Sequence, residues 1–292
     1  MDEAIVEENQ RISRLIQALI GWIFWDPGAM RRYEALGVPG AIGYMTRAAP
    51  LAALGEEAVI AAFSTIHPNI VRFGFAAIQK STTFEAMWAA RDEAIVEGLR
   101  SYLTSEQCDA LAAQEGALWQ AVEACPLPGR TFFGALKALE RPDDPLLSAW
   151  HGANGVREWR ADTHMAILVH EDLDAVEASI LHSAWMGYPQ EWVPQSRGWD
   201  DESQAAGFAR LEAKSLADAN ARRVNERGIM LREEIEQRTD EVSSTPWAAI
   251  GLAATRAIAD VLEPIAPVLV GRVDDTAGQY WMPAARGRNP YG

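Results

Sequence analysis

Ala209-Arg210-Leu211-Glu212-Ala213-Lys214-Ser215-Leu216-Ala217-Asp218 has the pattern of a helix running out, and Val224-Asn225-Glu226-Arg227-Gly228 that of the next one starting. Between them Ala217–Asn225 loses the helical period and holds Arg222 and Arg223. Asp200-Asp201-Glu202 opens the first helix, which extends to Ser215, with acid where the helix dipole favours it. Glu226–Thr239 regains the period. Helix, a short stretch without helical period over 217–225 and helix is the order these residues predict.

Outward from this unit the chain is helical almost throughout. Ile5–Trp25 carries an apolar stripe that Asp26-Pro27-Gly28 stops. Thr82–Leu103 is amphipathic, and Thr104 or Ser105 caps a helix over Glu106–Cys125. Asp143 or Asp144 caps a helix through Trp150, a long one follows over Asn154–His170, and Asp172 or Asp174 starts another. Pro189, Trp192, Pro194 and Gly198 make Gly187–Gly198 a connection, and Thr245-Pro246 opens a last long helix over Trp247–Val261. Gly271–Gly292 looks like a tail. The expected fold is all-α. The expected division is a helical ligand-binding domain over 1–187, a small separate unit over 188–240, and a C-terminal helix and tail over 241–292 packing back on the core.

The 292 residues carry 26 Lys+Arg against 41 Asp+Glu, a net charge of −15 that repels nucleic acid. Arg197–Arg238 is nearly neutral, and Arg222, Arg223 and Arg227 could touch phosphate weakly. No apolar run reaches the length of a membrane span, and Met1-Asp2-Glu3 puts acid where a secretory signal needs base, so a cytoplasmic protein without membrane contact is expected. Cys108 and Cys125 lack metal-ligand spacing, and no nucleophile elbow or glycine-rich phosphate loop is present.

Leu211-Glu212 and Val224-Asn225-Glu226-Arg227-Gly228 resemble the end of the recognition helix and the start of the following helix in MarR-type winged helices. Ser215 stands where that pattern has glycine, and Val224-Asn225 where it has Leu-Thr. The resemblance implies that 188–240 is a small winged-helix-like unit, with a helix for the DNA major groove and a short two-stranded wing near 217–225 for phosphates. Gln204, Arg210 and Lys214 amid Ala and Gly are poor material for reading bases. More widely, about residues 20–265 resemble a family of actinobacterial proteins of this length that carries only the label of a helix-turn-helix family. The matching stretches include Gly43-Tyr44, Arg47-Ala48-Ala49-Pro50-Leu51, Trp150-His151, Arg157-Glu158, His164-Met165-Ala166 and Arg197-Gly198-Trp199.

Chemistry concentrates on Trp150–His170. Arg157, Arg160 and His164 recur at spacings of three and four and share a face, with Glu158 and Asp162 on a neighbouring one. Charges on a central helix need partners, since a buried unpaired charge costs several kcal/mol. Two roles fit: a polar pocket in which an arginine holds an anionic or carbonyl group, or an Arg–carboxylate network locking helices together. Tyr44, Arg47 and His151 join Arg157, Glu158, Arg160 and His164 as ligand-binding candidates. The expected function is small-molecule binding by a dimeric regulator or sequestering protein. The alternative is an enzyme without organic cofactor, with His164 moving a proton, Asp162 orienting it and Arg160 stabilising negative charge. No cofactor or metal is expected; haem or a metal through His164 is the lesser alternative.

Overall fold

The computed structural model describes residues 2–188 and 192–277. Helix α1 (Glu3–Gly21) runs into a single 3-10 turn, and α2 (Pro27–Ala35) follows. A nine-residue 3-10 segment, Gly40–Ala48, leads to α3 (Ala49–Ala52), α4 (Glu56–Phe63), α5 (Pro68–Ser81) and α6 (Phe84–Tyr102). Next come α7 (Ser105–Ala112), α8 (Glu115–Ala124), α9 (Thr131–Lys137) and the long α10 (Pro145–His170). Then α11 (Ala175–Trp185), α12 (Trp192–Ser196) and α13 (Asp201–Ala213) lead to β1 (Ala217–Asp218), β2 (Arg223–Val224) and α14 (Glu226–Ser243). The described chain closes with α15 (Thr245–Ile250), α16 (Leu252–Leu262) and α17 (Ala266–Ala277). The fold is mainly α with one two-stranded antiparallel wing, as the sequence predicts.

Caps fall on residues whose side chains accept from the first turn. Thr104 makes a capping box with Gln107, Asp144 accepts from Leu146 and Leu147, and Asp174 makes a second box with Glu177. The wing pairs Ala217 with Val224 and Asp218 with Arg223. Ser215, at the position where a glycine was expected, takes a left-handed φ of 62° as the chain leaves α13.

Three helices depart from their expected extent. The two segments expected over 143–170 are one helix of 26 residues. Gly152 and Gly155 do not interrupt it; they let α8 pack close. A Cβ at Gly152 would lie 2.9 Å from that of Leu118, and one at Gly155 3.0 Å from Val122 Cγ2. Glu106–Cys125 is instead two helices, α7 and α8, and Trp247–Val261 breaks at Gly251, where φ is 85°. Cys108 and Cys125 are buried free thiols. Of the expected tail, Gly271–Ala277 continues α17 and residues 278–292 lie outside the described ones, as does Pro189 of the expected connection.

Two large apolar clusters result, beside a minor one of Met186, Tyr188 and Val193. The larger gathers α1 through α9, the first half of α10 and α15–α17 around Trp22, Trp150, Trp159 and Trp247. The smaller joins Leu168, Val176, Ile180 and Leu181 to Phe208, Leu211, Val224 and Ile235, so it draws on residues both before and after 187. Helix α10 runs from one cluster into the other, and α14 packs on α10, α11 and α1. No helix among the described residues is long and apolar enough to cross a membrane.

Candidate functional site

Where the two clusters meet, α1, α10, α11 and α14 leave a cavity of about 490 Å³. Polar faces meet across it. Arg157, Arg160 and His164 of α10 oppose Arg232, Glu236 and Asp240 of α14, and Arg197 enters from the segment after α12. Five arginines line it (Arg14, Arg157, Arg160, Arg197 and Arg232) against three carboxylates, Glu233, Glu236 and Asp240. In a chain of net charge −15 this is a local excess of positive charge.

The guanidinium groups are unequally satisfied. Arg160 donates to Glu236 and, at 2.8 Å, to Asp240. Arg232, 4% exposed, reaches Glu236 at 2.7 Å and His182 Nδ1 at 3.2 Å and stacks on Trp185, yet its buried Nη1 has no hydrogen-bond partner among the described residues. Arg197 has no carboxylate at all among them: Nη1 donates to Ser179 Oγ at 2.9 Å, and nothing accepts from Nε or Nη2. Burial, with Arg232 close by, pushes the Arg197 pKa down to about 10. Glu236 is held far below the usual carboxylate range, because Arg160 and Arg232 outweigh its burial.

Both histidines of the cavity are neutral. Burial, then the charge of Arg232, lowers His164 to about 3 and His182 well below its ordinary value. His164 Nδ1 lies 3.0 Å from Thr239 Oγ1, so a hydroxyl, not a carboxylate, anchors the ring.

The other sequence candidates are distributed elsewhere. Tyr44, Arg47, Arg157 and Glu158 come together in one buried network beside the cavity. Arg47 grips Glu158 in a two-point ion pair through Nε at 2.8 Å and Nη2 at 2.5 Å, and donates from Nη1 to Tyr44 at 2.9 Å. Tyr44 and Arg47 stand three apart in a 3-10 segment, which stacks them on one edge. The Phe63 and Phe132 rings flank the guanidinium. Arg157 completes the network and alone of the four lines the cavity. His151 faces Asp92 at 3.0 Å beside Trp88, apart from His164.

Asp162 does not reach His164. Its carboxylate accepts the Phe133 N–H at 2.9 Å, on the side of α10 facing α9. Burial lifts its pKa from 3.8 to about 6. The folded state therefore favours the protonated acid, and stability is highest below the ordinary pKa and falls as pH rises through about 6. Asparagine keeps the acceptor for Phe133 and never ionises. Asp162→Asn should melt above the wild type near pH ~8, by on the order of 2–3 kcal/mol, with the gap closing below about pH 4. Melting curves across that range check it, and a constant gap would contradict the assignment.

Arg197, Arg232, Glu236 and His182 were missed as site residues. The available signal lay in α14, where Arg232, Glu236, Thr239 and Asp240 repeat the three-and-four spacing seen in α10.

Helix α13 packs on α11 and on the wing; a Cβ at Gly207 would lie 2.7 Å from Val176 Cγ1. Its exposed positions include Asp201, Glu202, Glu212, Ala205, Ala206 and Ala209, with one exposed arginine, Arg210, paired to Asp174 at 2.6 Å. Gln204 is buried, Lys214 is paired with Glu177, and Arg222 is paired with Asp201. Arg223 and Arg227 are exposed on the wing and at the start of α14.

Matched against known families, residues 9–274 fit the model of the helix-turn-helix family, and the chain belongs to it. That name suggests a DNA-binding, regulator-like role. No curated protein and no solved structure matches the chain.

Proposed function

We propose that this protein binds a small organic anion in the cavity between α10 and α14, and that its helix-turn-helix unit, of the MarR type, serves to wall and sense that cavity more than to read DNA. One observation carries the reading: Arg197 stands in the cavity wall without a carboxylate, beside Arg232 with a buried donor unmet. A half-buried cation without a counter-charge is costly, and an anion that pairs with it recovers that cost on binding. The volume suits a small-molecule site, and Ile16, Met165, Leu168, Trp185 and Trp247 supply apolar wall. Thermal melting of the wild type with octanoate, benzoate and inorganic phosphate tests it. A rise with either carboxylate, growing with concentration as linkage requires, is expected; no shift with any of the three would contradict the proposal.

Acid–base catalysis by His164 is the second reading, favoured by a ring that is anchored at Nδ1 and lines the cavity. At a pKa of about 3 the ring holds no second proton to give at neutral pH, so binding is supported better.

The exposed face of α13 bears on the DNA role. Three carboxylates and a row of alanines offer few donors to bases and repel phosphate. We expect no footprint on duplex DNA at nanomolar protein and about 150 mM salt, with affinity no tighter than ~10⁻⁶ M. A sequence-specific footprint under those conditions would overturn this part of the reading.

A further inference from the structure

The tautomers of the two cavity histidines are set by their neighbours. Thr239 has one hydroxyl proton, and it goes to the Ile235 carbonyl at 2.7 Å. Toward His164 Nδ1, at 3.0 Å, Thr239 can then only accept, so His164 carries its proton on Nδ1. Nε2 keeps its lone pair and has no partner among the described residues. In His182 the order is reversed, because Arg232 donates to Nδ1 at 3.2 Å and the proton must sit on Nε2. The wall therefore presents guanidiniums, which only donate, next to one imidazole nitrogen that only accepts.

We infer that the ligand is a carboxylic acid that also carries a hydroxyl group, its carboxylate on Arg197 with Arg232 alongside and its hydroxyl donating to His164 Nε2. The inference rests on the anion-binding reading above. A monoanion matches the charge, since Arg160 is already neutralised by Glu236 and Asp240, and of the two wall arginines without a carboxylate among the described residues, Arg14 is exposed to solvent and Arg197 half-buried. The second group is a neutral donor: an ammonium at Nε2 would stand among three guanidiniums, Arg160, Arg197 and Arg232, against the single carboxylate of Glu236, which already pairs with two of them. The apolar wall takes a hydrocarbon body.

A ligand that fills the cavity without a hydroxyl leaves Nε2 desolvated and unpaired, which weakens binding by roughly 10- to 100-fold. Calorimetric titration of β-hydroxyoctanoate and octanoate into the full chain reads this directly. We expect the hydroxylated acid to bind tighter by that factor. His164→Phe should erase the preference, with octanoate binding more tightly than to the wild type because it no longer strands Nε2, and β-hydroxyoctanoate losing its acceptor. Thr239→Val, which releases the Nδ1 proton from its acceptor, should reduce the preference without touching the ligand, and it serves where His164→Phe fails to fold. Equal binding of the two acids, both lost in Arg197→Met, would overturn the hydroxyl assignment and leave the anion site standing. An unchanged preference in both His164→Phe and Thr239→Val would overturn the role of His164. Failure of both acids to bind the wild type would overturn both readings.

Discussion

Glu158→Ala is expected to destabilise the protein by about 3–5 kcal/mol, the largest effect of any single polar substitution proposed for it. Glu158 is fully buried and meets two arginines, Arg47 through two hydrogen bonds and Arg157 through a third. Burial works against its charge, but Arg47 and Arg157 outweigh that and hold its pKa below the usual carboxylate range. Removing the carboxylate strands Arg47 between Phe63 and Phe132 with only Tyr44 left to accept from it. Arg157 is less affected, since it keeps Gln17 at 2.8 Å. Combining Arg47→Met with Glu158→Leu should recover more than half of the loss, because an apolar pair avoids both desolvation costs. Chemical denaturation of the three proteins checks it. A Glu158→Ala variant within about 1 kcal/mol of wild type would show that the network does not hold these helices.

Arg197→Met carries the second large effect, and its two parts run in opposite directions. Carboxylate binding should weaken by at least about 100-fold, the loss of a charge-assisted contact in a desolvated site. Without ligand, the variant should be more stable than the wild type, by roughly 1 kcal/mol, since it replaces a cation that has no carboxylate with an apolar side chain of similar length. The local backbone need not change: the Arg197 carbonyl keeps the His67 N–H at 2.9 Å, and Trp199 keeps Thr65 at 3.0 Å. Stability gained where binding is lost is the pattern of a binding site. A structural arginine would show the reverse, a lower melting temperature with binding intact.

The unit from α13 to α14 was legible because its signals are local. Leu211-Glu212, the acid at the helix start and the return of the helical period at Glu226 each act within a few residues. The polar face of α10 was legible for the same reason, since Arg157, Arg160 and His164 follow the helical period. What faced it was not. Glu158 and Arg47 are 111 residues apart, and Arg160 and Asp240 are 80 apart, so neither pairing leaves a trace in any local window. Arg232 and Glu236 have the spacing of an ordinary surface ion pair, and their burial follows only from how α14 packs. At Gly152 the sequence reading leaves a gap between Trp150 and Asn154 that the structure does not show. Glycine weakens a helix in isolation, while here the close approach of α8 outweighs the cost.

The location of a bound anion tests the cavity most directly. Crystals grown with para-bromobenzoate would report the bromine by anomalous scattering, independently of how the surrounding density is interpreted. The arrangement of Arg197, Arg232 and the apolar wall predicts one dominant bromine site inside the cavity between α10 and α14, with the carboxylate against Arg197. Bromine found only on the protein surface, with the cavity holding water alone, would contradict the assignment of this cavity as the binding site.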